Sequence, residues 1–442
     1  MRFLLTLALF VLATPVVLAQ SGPNARDLPT RIDALAAQVE ARVIQWRRHI
    51  HQHPELSNRE TQTAAYVADH LRRLGLEVET GVARTGVVGV LRGGRPGPVV
   101  ALRADMDALP VTEQVDVPFA SRVRAVYNGL DVGVMHACGH DAHVAILMGV
   151  AEVLSSVKAD LPGTVKFIFQ PAEEGAPAGE APAGAELMVR EGVLTKAPAP
   201  EAIFGLHVTP KYTTGQVAAS AGGIYASVDD LRIVVHGRQT HGAYPWLGID
   251  PITTAAQVAL GLQMIPARQM EATKAPSLVT IGRIDGGVRS NIIPDSVLMI
   301  GTIRALDDSM RAELHRRIQR TTTNIAEAAG ARADVYIGRE SSYPVTANDA
   351  GLLDRMRPTL ARTVGTGLVP EEPTLGAEDF SFFAQRIPGL YVQLGIRPEG
   401  ASLLEYPSNH SPRFRVDERA LVLGVRTLAH LATDYLRGTG AR

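Results

Sequence analysis

Apolar residues recur at helical spacing from position 31 to 52, at Ile32, Leu35, Val39, Val43 and Trp46, and the run stops at Pro54. That period predicts a helix with one buried stripe. A second helix is expected from about Glu60 to Leu74, closed by Gly75, a residue suited to the left-handed turn that ends helices. Short apolar runs between turn residues follow: GVVGVLRGG, PVVALRADMDAL, TVKFIFQ and IFGLHV. Runs of this kind predict buried strands, and VAILMGVAEVL, among them, predicts a helix. Such alternation argues for an α/β sheet core.

Around Gly222 the pattern changes. LRIVVHG alternates like a half-buried strand, THGAYP reads as a turn, and DPITTAAQVALGLQMI is amphipathic. SLVTIGRIDG, VLMIGTIRAL, a long helix from Ser309 and ADVYIGRE complete a strand-helix-strand-strand-helix-strand order. That order predicts a small two-layer α+β unit. It is expected at 221–341, inserted into a larger domain made of 28–220 and 342–442.

The first residues form a third texture. Met1-Arg2 precedes an apolar run that ends in Val17-Leu18-Ala19 before a polar stretch, the order of a secretory signal. Residues 1–19 are therefore expected to be removed and the protein exported, to the periplasm or the medium. An uncleaved anchor is the alternative, though the run falls slightly short of the roughly 20 residues a span takes. No later segment is apolar for long enough to span. Charge adds an exclusion: 44 basic against 45 acidic residues give a net charge of -1, which argues against a nucleic-acid groove or a polybasic membrane patch.

The chemistry gathers at predicted strand ends. Asp105 follows VVALRA, Glu173 and Glu174 follow FIFQPA, and His207 lies in GLHV; ligand sites of open α/β sheets lie beyond such ends. The single cysteine, Cys138, stands in MHACGHDAH. Thiolate, imidazole and carboxylate so close together suggest a metal site. Cys138, His140, Glu174, His207 and His410 are the candidate ligands, a scattered constellation rather than a local motif. His143, one turn after His140, is an alternative ligand, and His207 taken alone reads more readily as a hydrogen-bonded core residue than as a ligand. Of His49, His51 and His53 only the first and last share a helix face, which reads as structural. Adjacent carboxylates on a loop point apart, so of Glu173 and Glu174 one can bind metal while the other faces the water on it. There is no G-x-S-x-G, H-E-x-x-H, P-loop or G-x-G-x-x-G.

MHACGHDAH, FQPAEEG, GLHV, THGAYPWLGIDP, SNIIPD, GTIRALD, LGAEDFSFF and NHSPRFRVDERAL, with HPELSNRE before them, resemble the amidohydrolase branch of the M20 metallopeptidase family. That branch contains hydrolases of N-acyl amino acids, hippurate and auxin conjugates. The resemblance implies a mixed-sheet zinc-peptidase-like catalytic domain with an inserted ferredoxin-like lid that also serves dimerisation. It implies two divalent metal ions, manganese or zinc, with cobalt or nickel also suited to these donors. Most of the wider family has H-x-D where this chain has Arg103-Ala104-Asp105, so His140 replaces the missing histidine and Cys138 stands for a bridging aspartate. His140 and His207 then serve one ion, Glu174 and His410 the other. Glu173 is the implied general base, and Asp105 the residue that orients a ligand. Asn291 and Arg304 would hold the substrate carboxylate, and His241 would stabilise the oxyanion, reaching a partner's site in a homodimer. The expected substrate is a small N-acyl amino acid or related amide. A carboxypeptidase or dipeptidase of the same chemistry is the alternative within enzymes, and a periplasmic two-domain binding protein the alternative outside them.

Overall fold

The computed structural model of the chain describes residues 27–439, so the leader expected at 1–19 lies outside the described residues. Its centre is an eight-stranded sheet. From one edge the strands are Glu77–Val82, Gly86–Arg92, Pro162–Gln170, Arg95–Asp105, Ala202–Thr213, Gly389–Arg397, Val217–Ala218 and Leu368–Val369. Arg95–Asp105 runs parallel to the strands on both its sides, and Ala202–Thr213 parallel to Gly389–Arg397, while the Glu77 edge is antiparallel. The mixed α/β sheet expected from the strand-helix alternation is therefore present. Its parallel centre is buried on both faces, which explains why VVALRA, FIFQ and IFGLHV read as continuous apolar runs.

Helices cover the sheet. Leu28–Gln52 buries the predicted stripe at Ile32, Val39 and Val43. Thr61–Arg73 is the second helix, and Gly75 adopts φ +78° just after it. The third, His140–Ser156, is buried on almost every side, as a helix without a polar face must be. Gly149 lets its neighbours close in: a Cβ there would lie 2.8 Å from Val43 and 3.0 Å from Val425. Leu421–Arg437 completes this layer.

Between Ser227 and Tyr343 the chain builds a separate antiparallel sheet with the order Ser277–Gly286, Ser296–Ala305, Ser227–His236, Arg332–Tyr343. Helices Pro251–Arg268 and Asp308–Ala328 join its strands and pack on it over an apolar core of their own, with Leu231, Val258, Leu262 and Ile318. The strand-helix-strand-strand-helix-strand order expected here is the one observed. Between the two sheets the chain crosses as a two-stranded ribbon, Gly222–Tyr225 pairing antiparallel with Thr346–Asn348.

Candidate metal centre and active-site cavity

The parallel strands deliver the chemistry to one edge. Arg95–Asp105 ends at Asp105 and leads to Asp107; Pro162–Gln170 ends just before Glu173 and Glu174; Ala202–Thr213 carries His207. Cys138 precedes the helix that begins with His140, and Gly139 makes the turn at φ +98°. A Cβ on Gly139 would lie 2.2 Å from a Val208 methyl, so backbone conformation and space both require glycine. His410 also has positive φ, 69°, and its amide is tied to the Ala137 carbonyl at 2.7 Å. Asn409 anchors that turn through its side-chain amide, which donates to the carbonyls of Cys138 at 2.9 Å and Val208 at 3.2 Å.

The five candidate ligands meet. Cys138, His140 and His207 form one set of donor atoms lying within 4.8 Å of one another, and Cys138, Glu174 and His410 form another. Cys138 belongs to both. Its sulfur is 3.4 Å from His207 Nε2, and His410 Nε2 is 3.1 Å from Glu174 Oε1. His207 Nδ1 donates to the Val208 carbonyl and His140 Nδ1 to the Asp107 carbonyl, both at 2.8 Å. That fixes both tautomers and leaves each Nε2 with a free lone pair. His140 Nε2 is buried without a hydrogen-bond partner, and the neighbour of Glu174 Oε1 is the His410 ring. Burial raises the Cys138 thiol well above its usual range, and Glu174, Glu173 and Asp105 raise it further. A thiol so placed becomes a thiolate only with cations beside it. Soft and borderline donors with free lone pairs around shared points fit a pair of divalent cations.

His143 is excluded as a ligand by its bonds: Nδ1 donates to Asp105 at 2.6 Å and Nε2 accepts from the Val208 amide at 2.9 Å. His51 lies between Asp141 at 2.7 Å and Glu113 at 3.1 Å, and His53 bonds the His49 carbonyl. Asp105 differs from expectation. Its oxygens are taken by Arg103 and His143, and it comes no closer to His140 Nε2 than 3.8 Å. His140 is oriented by Asp107 instead. Asp107 also accepts the amides of Glu173 and Glu174, each at 3.0 Å, and the Ser57 hydroxyl at 2.7 Å.

Beneath Glu173 lies a buried cation. Arg103 contacts Asp105 at 2.7 Å, Asp379 at 2.8 Å, Glu378 at 2.9 Å and Gln170 at 2.8 Å. One guanidinium thus faces three carboxylates, and Glu173 is a fourth nearby. Burial first, then Glu378, Glu174, Asp379 and Asp105, hold the Glu173 carboxyl well above its ordinary range. Its Oε1 accepts the Asp379 amide at 3.3 Å, and the Tyr343 hydroxyl donates to its carbonyl at 3.1 Å. The role of Arg103 was hidden because its partners lie in LGAEDF, far along the chain.

A cavity of about 600 Å³ opens on these groups, lined by Cys138, Glu173, Glu174, His207 and His410 and, further out, by Lys211, Tyr225, Glu371 and Gln393. Arg304 lines it from the four-stranded unit and donates to the Leu375 carbonyl at 3.0 Å. His241 and Asn291 do not line it. They are exposed neighbours on that unit, where the Gly242 amide bonds the Asn291 carbonyl at 2.8 Å.

Comparison with known proteins finds relatives that span most of the chain. The profile of Peptidase family M20/M25/M40 matches residues 101–434. Thermostable carboxypeptidase 2 of Saccharolobus solfataricus is 43% identical over 410 residues, covering 92% of this chain and 99% of that protein. N-acetylcysteine deacetylase of Bacillus subtilis is 37% identical, covering 89% and 97%. A solved Bacillus subtilis protein, described as a dinuclear metal binding peptidase of the M20 family, superposes with a TM-score of 0.76 at 35% identity, over 91% of this chain and 99% of that one.

Proposed function

Because this chain belongs to peptidase family M20/M25/M40 and is a metal-dependent hydrolase, we propose that it cleaves the amide bond of N-acyl amino acids or related small amides. The ions would be two, manganese or zinc, held by Cys138, His140, Glu174, His207 and His410. The observation that carries the reading is the sharing of Cys138 by two donor sets beside the buried carboxyl of Glu173. Bound there, a cation pair lowers the pKa of a water toward about 7 and polarises the carbonyl.

The chain's own groups do the rest. Glu173 takes the water proton at its carboxylate and returns it to the leaving amine. Asp107 and the Asp379 amide hold it in place. The Arg304 guanidinium receives the substrate carboxylate, which it fits in a bidentate manner. His241, too far out to serve its own cavity, acts in the partner of a homodimer and stabilises the oxyanion there, with Asn291 beside it. Exposed apolar side chains on one helix, Ile252, Leu260 and Met264, and Ile284 on the edge strand that the helix packs against support such pairing. The leader-like order of residues 1–19 supports an exported enzyme.

The 43% identity to a carboxypeptidase favours a second reading, in which short peptides are the substrates. A metal-loaded assay of N-acetyl and N-benzoyl amino acids against dipeptides decides between them. Turnover of dipeptides alone would replace the first reading with the second, and turnover of neither would end both.

A further inference from the structure

The cavity holds a second group of buried polar side chains, separate from the donor sets. Gln393 is the strand partner of His207, and the Tyr225 hydroxyl donates to its Oε1 at 3.1 Å. Gln393 is 4% exposed, and its Nε2 has no hydrogen-bond partner. Glu371 is 6% exposed, and its Oε2 also lacks one. Both side chains belong to the cavity wall.

The segment carrying Glu371 is fastened on three sides. The Ser220 hydroxyl donates to the Glu371 carbonyl at 3.0 Å and accepts from its amide at 2.9 Å. Lys211 donates to the Glu372 carbonyl at 2.8 Å, and Arg304 holds the Leu375 carbonyl. The fold therefore fixes this carboxyl where it stands.

A carboxyl removed from water is costly unless a counterion or hydrogen bonds replace the lost solvation. Among the described residues the cation acting on Glu371 is Lys211, whose ammonium is already engaged by the Glu372 carbonyl and carboxylate, the latter at 3.2 Å. Burial pushes the Glu371 carboxyl up to about 8, and the neighbouring Gln393 amide and Lys211 only partly oppose this. A purely structural carboxylic acid would be expected to have its oxygens matched to partners. Here a fastened acid, with the Gln393 amide as its nearest donor and no cation committed to it, lines a substrate cavity.

We propose that Glu371 is a specificity residue that receives a cationic end of the substrate, so that amides bearing an ammonium or guanidinium group are preferred over neutral counterparts. The substrate's charge supplies the counterion that the protein omits, while the Gln393 amide stays beside the carboxyl as its neighbouring donor. A site built around an unmet polar group discriminates strongly against ligands that leave it unmet. This inference rests on the amide-hydrolase reading for turnover, and on the cavity alone for binding.

The test compares two pairs: N-acetyl-lysine with N-acetyl-norleucine, and 6-aminohexanoyl-leucine with hexanoyl-leucine. One pair should show a preference of about tenfold or more in kcat/KM for the charged member. The first pair places the cation on the amino-acid side, the second on the acyl side. Glu371→Gln should bring that ratio close to one. Calorimetric binding of the same four compounds to the Glu173→Gln protein repeats the comparison without turnover. If none is hydrolysed, the amide-hydrolase reading fails while the binding ratios still judge Glu371. Wild-type protein with no preference in either pair, by rate or by binding, would overturn the proposal whatever the variant does.

Discussion

Asp107 holds the main chain of Glu173: its Oδ1 accepts the Glu173 amide at 3.0 Å, and its Oδ2 accepts the next amide, that of Glu174, at the same distance. One carboxylate thereby sets the spacing between the residue read as base and the residue read as ligand. The carbonyl of the same aspartate orients His140.

Asp107→Asn should disturb this arrangement, because an amide nitrogen cannot accept the second N–H. Groups that orient ligands typically contribute 10–100-fold to metal affinity when lost. A loss of about that size is expected here, read by metal titration of chelator-treated protein. Unchanged affinity would remove Asp107 from the ligand-orienting role.

Glu173→Gln should retain fold and metal and lose about 10²–10⁴-fold in kcat, the usual contribution of general base catalysis. Metal analysis and steady-state rates on one preparation check this. A near wild-type rate would mean that another group takes the proton.

Cys138→Ala should reduce metal content and activity together. In the wild-type protein, thiol reagents should label Cys138 only after chelation, since a coordinated thiolate is occupied. Rapid labelling of the fully metallated protein would argue against the sulfur as a shared ligand.

His241 stands exposed and outside its own cavity. Mixing inactive His241→Ala and Glu173→Gln proteins under conditions of subunit exchange should restore activity, since one site of a mixed dimer regains both groups. A mixture that stays inactive despite demonstrated exchange, or a fully active monomer, rules out action in trans.

Asp229 predicts a pH-dependent stability of the four-stranded unit. Burial opposes its charge, but hydrogen bonds from Arg311 at 2.6 and 2.8 Å, from His315 and from Ser342 hold its carboxyl far below the ordinary 3.8. A depressed folded-state pKa gives stability that is fully present above the unfolded value and lost progressively as pH falls from there through the folded one. Asp229→Asn should therefore destabilise by about 1.5–3 kcal/mol at pH 7, as charged hydrogen bonds of this kind do. The gap to wild type should narrow below about pH 4, which melting curves at pH 7 and pH 3 would show.

The readable parts of the site were those written as local pattern. Cys138 and His140 share one turn, Glu173 and Glu174 follow an apolar strand, and His207 sits inside one, so period and strand ends point to them. The two-helix, four-strand unit was legible for the same reason, since its alternation is strictly local. Asp107 was not, because in DMDAL it looks like the polar end of a strand, and its partners Glu173 and Glu174 join it only across the sheet. Asp105 was assigned the orienting task that Asp107 performs. The two aspartates are separated by one residue, and only the fold shows that Arg103 and His143 claim the first. Arg103 looked like a substitution at a ligand position, and its burial against Glu378 and Asp379 depends on pairings across a long stretch of sequence, 276 residues for Asp379.

The ribbon at Gly222–Tyr225 and Thr346–Asn348 has a consequence for how such a protein can be rebuilt. Tyr225 and Thr346 are direct partners, so the four-stranded unit leaves and rejoins the larger body at one place. A module with coincident entry and exit is a unit of exchange. It can be lengthened, swapped or deleted, with a tight hairpin turn closing the gap and the eight-stranded sheet left unbroken. Deletion would take Arg304 and Tyr343 away and leave the five proposed donors in place, so the expected product keeps the donor sets and loses the cavity wall that the unit supplies.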